Sequence, residues 1–169
     1  MLLSRSHSLA VLGGLLILEG SLEIARLNSP SLNQRLLRFF GGIQREKEVN
    51  QLSGIFWTLA GSTAAIWLIP DYRLAIVGVW YLAVGDGLAG LVGKTWGRHP
   101  IGSGPKTWEG TSACFIGCWI VGTILMRGFM AWWIPVVGAA AASFIEWLPM
   151  PWNDNFWLPL LSGAFLCLF

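Results

Sequence analysis

Three short runs of polar residues, each set between apolar stretches, carry the residue types of a site that handles phosphate and metal. The densest is Gly85-Asp86-Gly87, followed by Gly90, Gly93, Lys94, Gly97 and Arg98. A carboxylate within an apolar run is costly unless it faces a polar cavity or a cation, which marks Asp86 as a site residue. On a helix, Gly85, Ala89, Gly93 and Gly97 recur every four positions. They form a small-residue stripe that lets another backbone approach closely. Asp86 and Gly90 share another face, where the carboxylate would meet an open groove. The plain alternative is a packing stripe with a buried ion pair.

The second run extends from Gly102 through Gly104, Lys106, Thr107, Trp108 and Glu109 to Gly110 and Thr111. Gly102 and Gly104 permit tight turns and close approach of a ligand. Lys106 offers a point charge to phosphate oxygens. Thr107 or Thr111 can cap the following helix, whose free N–H groups favour an anion. Glu109 can orient Lys106 or help to hold a metal. The spacing of a Walker A loop is absent. An ordinary charged loop is the plain alternative.

The third run is Glu146, then Pro151, Trp152, Asn153, Asp154, Asn155 and Pro159. Asp154 and Asn155 are oxygen donors suited to a hard divalent ion, and with Asp86 they can supply ligands to Mg2+. A turn or helix cap explains Asp154 and Asn155 equally well. A fourth run, Arg45-Glu46-Lys47-Glu48, borders an apolar segment. Glu48 can bind metal and Arg45 phosphate, although such runs are usually solvated faces.

The elements that must position these groups are membrane helices. Hydrophobic residues make up 54% of the 169 residues and charged residues only 12%, against about 25% charged in soluble domains. Mean hydropathy is +0.60. A soluble domain of this size could not hide so much apolar surface, and a disordered chain would not carry it. A net charge of +2 implies no nucleic-acid partner. Cys114 and Cys118 lie four apart in an apolar run and read as small buried residues rather than a metal or redox pair.

Six apolar segments, about 8–25, 52–70, 74–93, 111–127, 131–148 and 156–168, predict an all-α, polytopic integral membrane protein. The last is short for a span. Arg5 and His7 precede the first segment as in a signal peptide, but no small-x-small cleavage site follows, so a retained helix is expected. The whole of 1–169 reads as a single transmembrane domain. An interfacial amphipathic stretch is expected over 32–49, interrupted by Gly41 and Gly42.

Six spans put the charged loop 26–50, the Gly/Lys loop 94–110 and the short acidic loop 149–155 on one side. Loop 26–50 carries a charge of +3 and loop 94–110 a charge of +2. The positive-inside bias makes that side cytoplasmic, in a bacterial inner membrane or an organellar one. Most of the 11 tryptophans fall near segment ends, as interfacial anchors do.

The run from Gly85 to Gly97, with Lys106-Thr107-Trp108-Glu109-Gly110, resembles the CTP-dependent lipid kinases: dolichol kinase, phytol kinase and CTP-dependent diacylglycerol kinase. The same central pattern occurs in phosphatidate cytidylyltransferases. Arg45-Glu46 with Glu48 and Gly54, and Glu146, Pro151, Asp154-Asn155 and Pro159, are similar to flanking features of the kinases. Many members carry additional N-terminal helices with an Arg-Lys … His segment. His7 is a poor match to that histidine, so the chain reads as a short subtype or as lacking that element.

The resemblance implies transfer of a phosphoryl group from CTP to a membrane lipid alcohol such as a polyprenol, phytol or diacylglycerol. Asp86 and Asp154 would hold Mg2+, assisted by Asn155 or Glu48. Lys106 would neutralise triphosphate oxygens, with Arg45, Lys94 and Arg98 as further phosphate ligands and Gly102, Gly104 and Thr107 around the nucleotide. Asp86 or Glu109 would accept the alcohol proton, and Glu146 is an additional polar site. A chain with so few spans could complete its lipid groove as a homodimer. A cytidylyltransferase making a CDP-lipid, and a small membrane transporter or noncatalytic scaffold, are the alternatives.

Overall fold

The computed structural model describes residues 4–40, 51–102 and 104–169. Regular structure among these residues is helical, apart from an isolated bridge between Pro100 and Thr107. In chain order the helices are α1 (Arg5–Asn28), α2 (Pro30–Phe40), α3 (Gly54–Leu68), α4 (Tyr72–Trp80), α5 (Gly87–Trp96), α6 (Trp108–Leu125), α7 (Ile134–Trp147) and α8 (Asp154–Leu166). A π-helical turn over Tyr81–Asp86 joins α4 to α5, giving one continuous element over Tyr72–Trp96.

Each of the six apolar segments forms a helix of the bundle. Their starts are set locally: Ser4, Ser53, Asp71, Thr107 and Asn153 each accept a bond from a backbone N–H of the first turn. The Arg73 side chain bonds to Asp71 and holds its carboxyl below the usual carboxylate range. Three elements, Arg5–Asn28, Tyr72–Trp96 and Trp108–Leu125, are long and apolar enough to cross a membrane. The others are shorter than a full span. The 15 residues of α3 rise only about 22 Å against a hydrocarbon core of about 30 Å. Its end is set by Ile69, which is already extended, and by the Pro70-Asp71 turn. The amphipathic stretch is realised as α2, while Gly41, Gly42 and the rest of 41–50 lie outside the described residues.

The core of the bundle is formed by α4, the π turn, α6, α7 and α8, with Tyr81, Cys114, Cys118 and Leu158 fully buried. α1 packs on α3 and leaves Ile17, Leu18 and Ile24 exposed, as a lipid-facing helix would. The polar pair near its C-terminal end is buried: Arg26 pairs with Glu23 at 2.7 Å and also donates to the Gln51 carbonyl. Such a pair is tolerated because partners satisfy both charges.

Close backbone approach holds α3 to α8. A Cβ at Gly61 would lie 2.6 Å from the Phe156 carbonyl oxygen and 2.7 Å from that of Asn155. Backbone cannot move aside as a side-chain tip can. Gly61→Ala is therefore expected to lower the detergent unfolding midpoint through an overpacking loss of about 1–3 kcal/mol. Gly13→Ala, whose Cβ would have no neighbour within 4 Å, should leave it unchanged. Equal midpoints for the two variants would refute this account of the α3/α8 seam.

The chain reversals sort to two ends. At one, Arg5 donates to the carbonyls of Ile69 and Pro70, Ser8 meets Tyr72, and Arg73 lies over the Phe129 ring. At the other, the 97–107 loop meets the start of α8, and Asn155 reaches back to Gly54 and Thr58 of α3. The 97–107 loop and the start of α8 thus meet at one end of the bundle, beside the start of α3.

Candidate active site

The π turn ends on Asp86. One extra residue in the turn shifts the helical phase there, a device frequent at functional sites. Below it, the small-residue stripe packs on α6. A Cβ on Gly85 would meet Cys118 Sγ at 2.5 Å, and one on Gly93 would meet Thr107 Oγ1 at 3.2 Å. Ala89 is buried, with its carbonyl 2.8 Å from a Cβ built on Gly110. Gly90, on the adjacent face, has nothing within 4 Å of a built Cβ and lines an open pocket of about 580 Å³. The expected division into a packing face and a groove face is present. Gly90 itself belongs to the groove, so bulk there fills space rather than prying helices apart.

Asp86, Glu146 and Asp154 converge in this pocket. One carboxylate oxygen from each lies within 4.8 Å of the others. They come from the π turn, the last turn of α7 and the first residue of α8. Lys106 sits among them, its Nζ 3.1 Å from Glu146 Oε1 and 3.2 Å from Asp154 Oδ2. Glu146 is 5% exposed, and its Oε2 is buried without a hydrogen-bond partner. A buried carboxylate oxygen without a partner is costly, which favours a cation or a donated hydrogen bond at that position.

Lys106 is presented by a tight loop rather than by a helix. Ile101 N–H donates to the Lys106 carbonyl at 2.8 Å, and Trp108 N–H to that of His99 at 3.0 Å. Gly102 makes the turn in the left-handed region, with φ of 63°. Glu109 closes the loop, accepting from His99 Nδ1 at 2.6 Å and from the His99 backbone at 3.3 Å. Thr107 then caps α6 by accepting from Gly110 N–H.

The residues expected at the site fall into three sets. Asp86, Asp154, Lys106, Lys94 and Thr107 line the pocket, and Glu146 joins the acidic pair. Arg45 and Glu48 lie outside the described residues. The others stand off the pocket. Glu109 is engaged by His99, and Gly102 and Gly104 build the loop without lining the cavity. Arg98 is exposed and also outside the lining. The Asn155 side-chain amide donates to Gly54 O and Thr58 Oγ1, tying α8 to α3. Glu146, rather than Asn155, completes the carboxylate set. The His99–Glu109 clip had no signal in the sequence, because the two meet across a turn that periodicity does not describe.

Comparison with known proteins finds sequence relatives among lipid kinases. The chain is 27% identical over 173 residues to CTP-dependent diacylglycerol kinase 1 of Eremothecium gossypii, covering 86% of this chain and 53% of that protein. It is 33% identical over 145 residues to the phytol kinase of Synechocystis sp., covering 79% of this chain and 56% of that protein. A shorter match, 37% over 71 residues, joins it to phosphatidate cytidylyltransferase 4 of Arabidopsis thaliana, over 41% of this chain and 18% of that protein. No family model matches, and no solved structure does. The chain spans little more than half the length of these two kinases. Over most of its length the chain is thus similar to CTP-dependent lipid kinases, and its membrane-helical fold and the Gly85–Gly97 run agree with that likeness.

Proposed function

We propose that this chain phosphorylates a membrane lipid alcohol at the expense of CTP, with the pocket around Asp86 as its active site. The observation that carries the proposal is Lys106 held between Glu146 and Asp154, with Asp86 in the same cluster, at the end of an apolar bundle. Phosphoryl transfer needs positioning and charge neutralisation more than covalent participation by the protein. In the reaction, the alcohol oxygen forms a bond to the γ-phosphorus of CTP. The bond from that phosphorus to the β,γ-bridging oxygen breaks, and its electron pair leaves with CDP. The alcohol proton passes to a carboxylate of the pocket. Glu109, occupied by His99, is not placed to receive it.

The donor set fits a hard divalent cation: three carboxylates cluster in the pocket, two of them paired with Lys106, and one buried carboxylate oxygen lacks a partner. Asp86, Glu146 and Asp154 would hold Mg2+, which when bound neutralises charge on the transferring phosphoryl group. Lys106 and Lys94 would then serve the triphosphate, and Thr107 would place the N-terminus of α6 toward it. The Lys- and Arg-rich loops support a cytoplasmic orientation for this end.

The test is transfer of γ-labelled phosphate from CTP to a panel of lipid alcohols by the purified protein with Mg2+. Labelled lipid is expected. The Arabidopsis match supports a second reading, in which a lipid phosphate attacks the α-phosphorus of CTP and releases pyrophosphate. Label on the cytidine would enter the lipid in that case, and γ-label would not. Gly90→Leu is expected to keep the wild-type unfolding midpoint and to weaken CTP binding at least about tenfold, since the added side chain occupies the pocket. Normal CTP affinity in that variant would remove the pocket from the nucleotide site.

A further inference from the structure

A second cavity abuts the first. It has a volume of about 610 Å³ and is a groove between α6 and α7, open on the bundle's outer face. Its walls are apolar, with Trp108, Phe115 and Ile116 on one side and Ala140, Phe144 and Trp147 on the other. Thr111 lines both this groove and the acidic pocket. Its Oγ1 is buried and has no hydrogen-bond partner. Ser143, on the groove, and Glu146, in the pocket, are neighbouring residues of one helix face, three positions apart on α7. An apolar trough therefore ends at a junction with two unpartnered buried oxygens, Thr111 Oγ1 and Glu146 Oε2. A hydroxyl that enters the acidic pocket past Thr111 finds unpartnered oxygens to bond, while hydrocarbon attached to it lies in the trough.

We infer that the α6/α7 groove holds the hydroxyl-proximal hydrocarbon of the lipid alcohol and delivers its hydroxyl past Thr111 into the acidic pocket. This rests on the proposed kinase reading and adds where the acceptor lies and what the protein recognises in it. From Ala140 to Trp147 the groove runs seven helical steps, or about 10 Å. With carbon–carbon bonds of about 1.5 Å in an extended zigzag, that is enough for about eight carbons. The hydrocarbon core is about 30 Å thick, so the remainder of a long tail extends into the bilayer. The groove thus reads the first carbons of the tail and does not measure its length. Branching or unsaturation near the hydroxyl alters affinity, and lengthening at the far end does not.

The test uses the full chain in nanodiscs and a long-chain primary alcohol carrying a diazirine in its hydroxyl-proximal third. Photolabelling without CTP is expected on α6 and α7 residues of the groove, and unlabelled alcohol should compete where bilayer phospholipid does not. In parallel, Ser112→Phe and Ala140→Phe fill the groove from exposed positions outside the acidic pocket, with Ala10→Phe on α1 as a control of equal bulk. Both groove variants should raise KM for the alcohol at least about tenfold with KM for CTP unchanged, and the control should change neither.

Labelling concentrated elsewhere, unchanged alcohol KM in both groove variants, or equal competition by phospholipid would overturn the groove assignment while leaving the kinase reading intact. Groove labelling that alcohol displaces, in a protein that passes no γ-phosphate to any alcohol, would keep the groove as an alcohol site and overturn the kinase reading.

Discussion

Asp86→Asn is expected to leave the helical bundle folded and to cut lipid-phosphate formation by about 10³-fold or more, the scale on which a charge-stabilising group acts in a preorganised site. The substitution keeps the shape of the side chain and removes its charge. The π turn that carries it is set by backbone and by packing of Tyr81, Leu82 and Gly85 in the core, none of which is altered. What changes is the carboxylate set, which falls from three members to two. Titration with Mn2+ as a spectroscopic stand-in for Mg2+ should show weakened binding in parallel with the lost turnover. A catalytic loss with unaltered Mn2+ affinity would move Asp86 from metal ligand to proton acceptor. Full turnover would exclude it from both roles.

The relation between sequence and structure is uneven in a way that has physical causes. The six apolar segments were legible because a hydrophobic helix is a local object defined by hydropathy, whereas of the caps only that of α6, expected at Thr107 or Thr111, was read, and Thr107 supplies it. The four-residue stripe from Gly85 to Gly97 was legible for the same reason, and it packs on α6 as its spacing requires. The π turn was not, since one additional residue within an apolar run leaves no compositional mark. Membership of the carboxylate set was legible only in part. Asp86 and Asp154 stood out as carboxylates beside apolar segments, but the adjacent Asp154-Asn155 pair invited a joint role. On α8 those two side chains diverge, Asp154 to Lys106 and Asn155 to α3. Glu146 takes the open place because the 148–153 connection brings the end of α7 back beside the start of α8, a tertiary fact. Glu109 shows the same limit from the other direction. Its proximity to Lys106 in the chain suggested direct contact, whereas the loop turns at Gly102 and presents Glu109 to His99. Its contribution is to brace the segment that carries Lys106.

Lys106→Gln separates the two kinds of work that this cluster can do. In the protein alone, the ammonium compensates Glu146 and Asp154 from about 3 Å, occupying the space a divalent cation would share. At an effective dielectric constant of about 20, one unit charge at 4 Å is worth about 4 kcal/mol before solvent exposure and salt reduce it. With Lys106 itself 26% exposed, an order of magnitude in cation affinity is a realistic consequence of its loss. Mn2+ is therefore expected to bind Lys106→Gln about tenfold more tightly than wild type, because a competing positive charge has gone. Turnover should move the opposite way, falling at least about 100-fold, since the same ammonium is needed on the triphosphate once the metal has taken the carboxylates. A lysine that only braces the fold would give a different pair of results: a lowered unfolding midpoint, with metal affinity and CTP kinetics unchanged in the surviving folded protein. Lys106→Arg should restore the charge and hence the wild-type metal affinity. It should recover turnover only in part, because the planar guanidinium cannot reproduce the compact ammonium between two carboxylates. Tighter metal binding combined with slower transfer is the signature that distinguishes a lysine shared between metal site and nucleotide from one that merely neutralises buried acid.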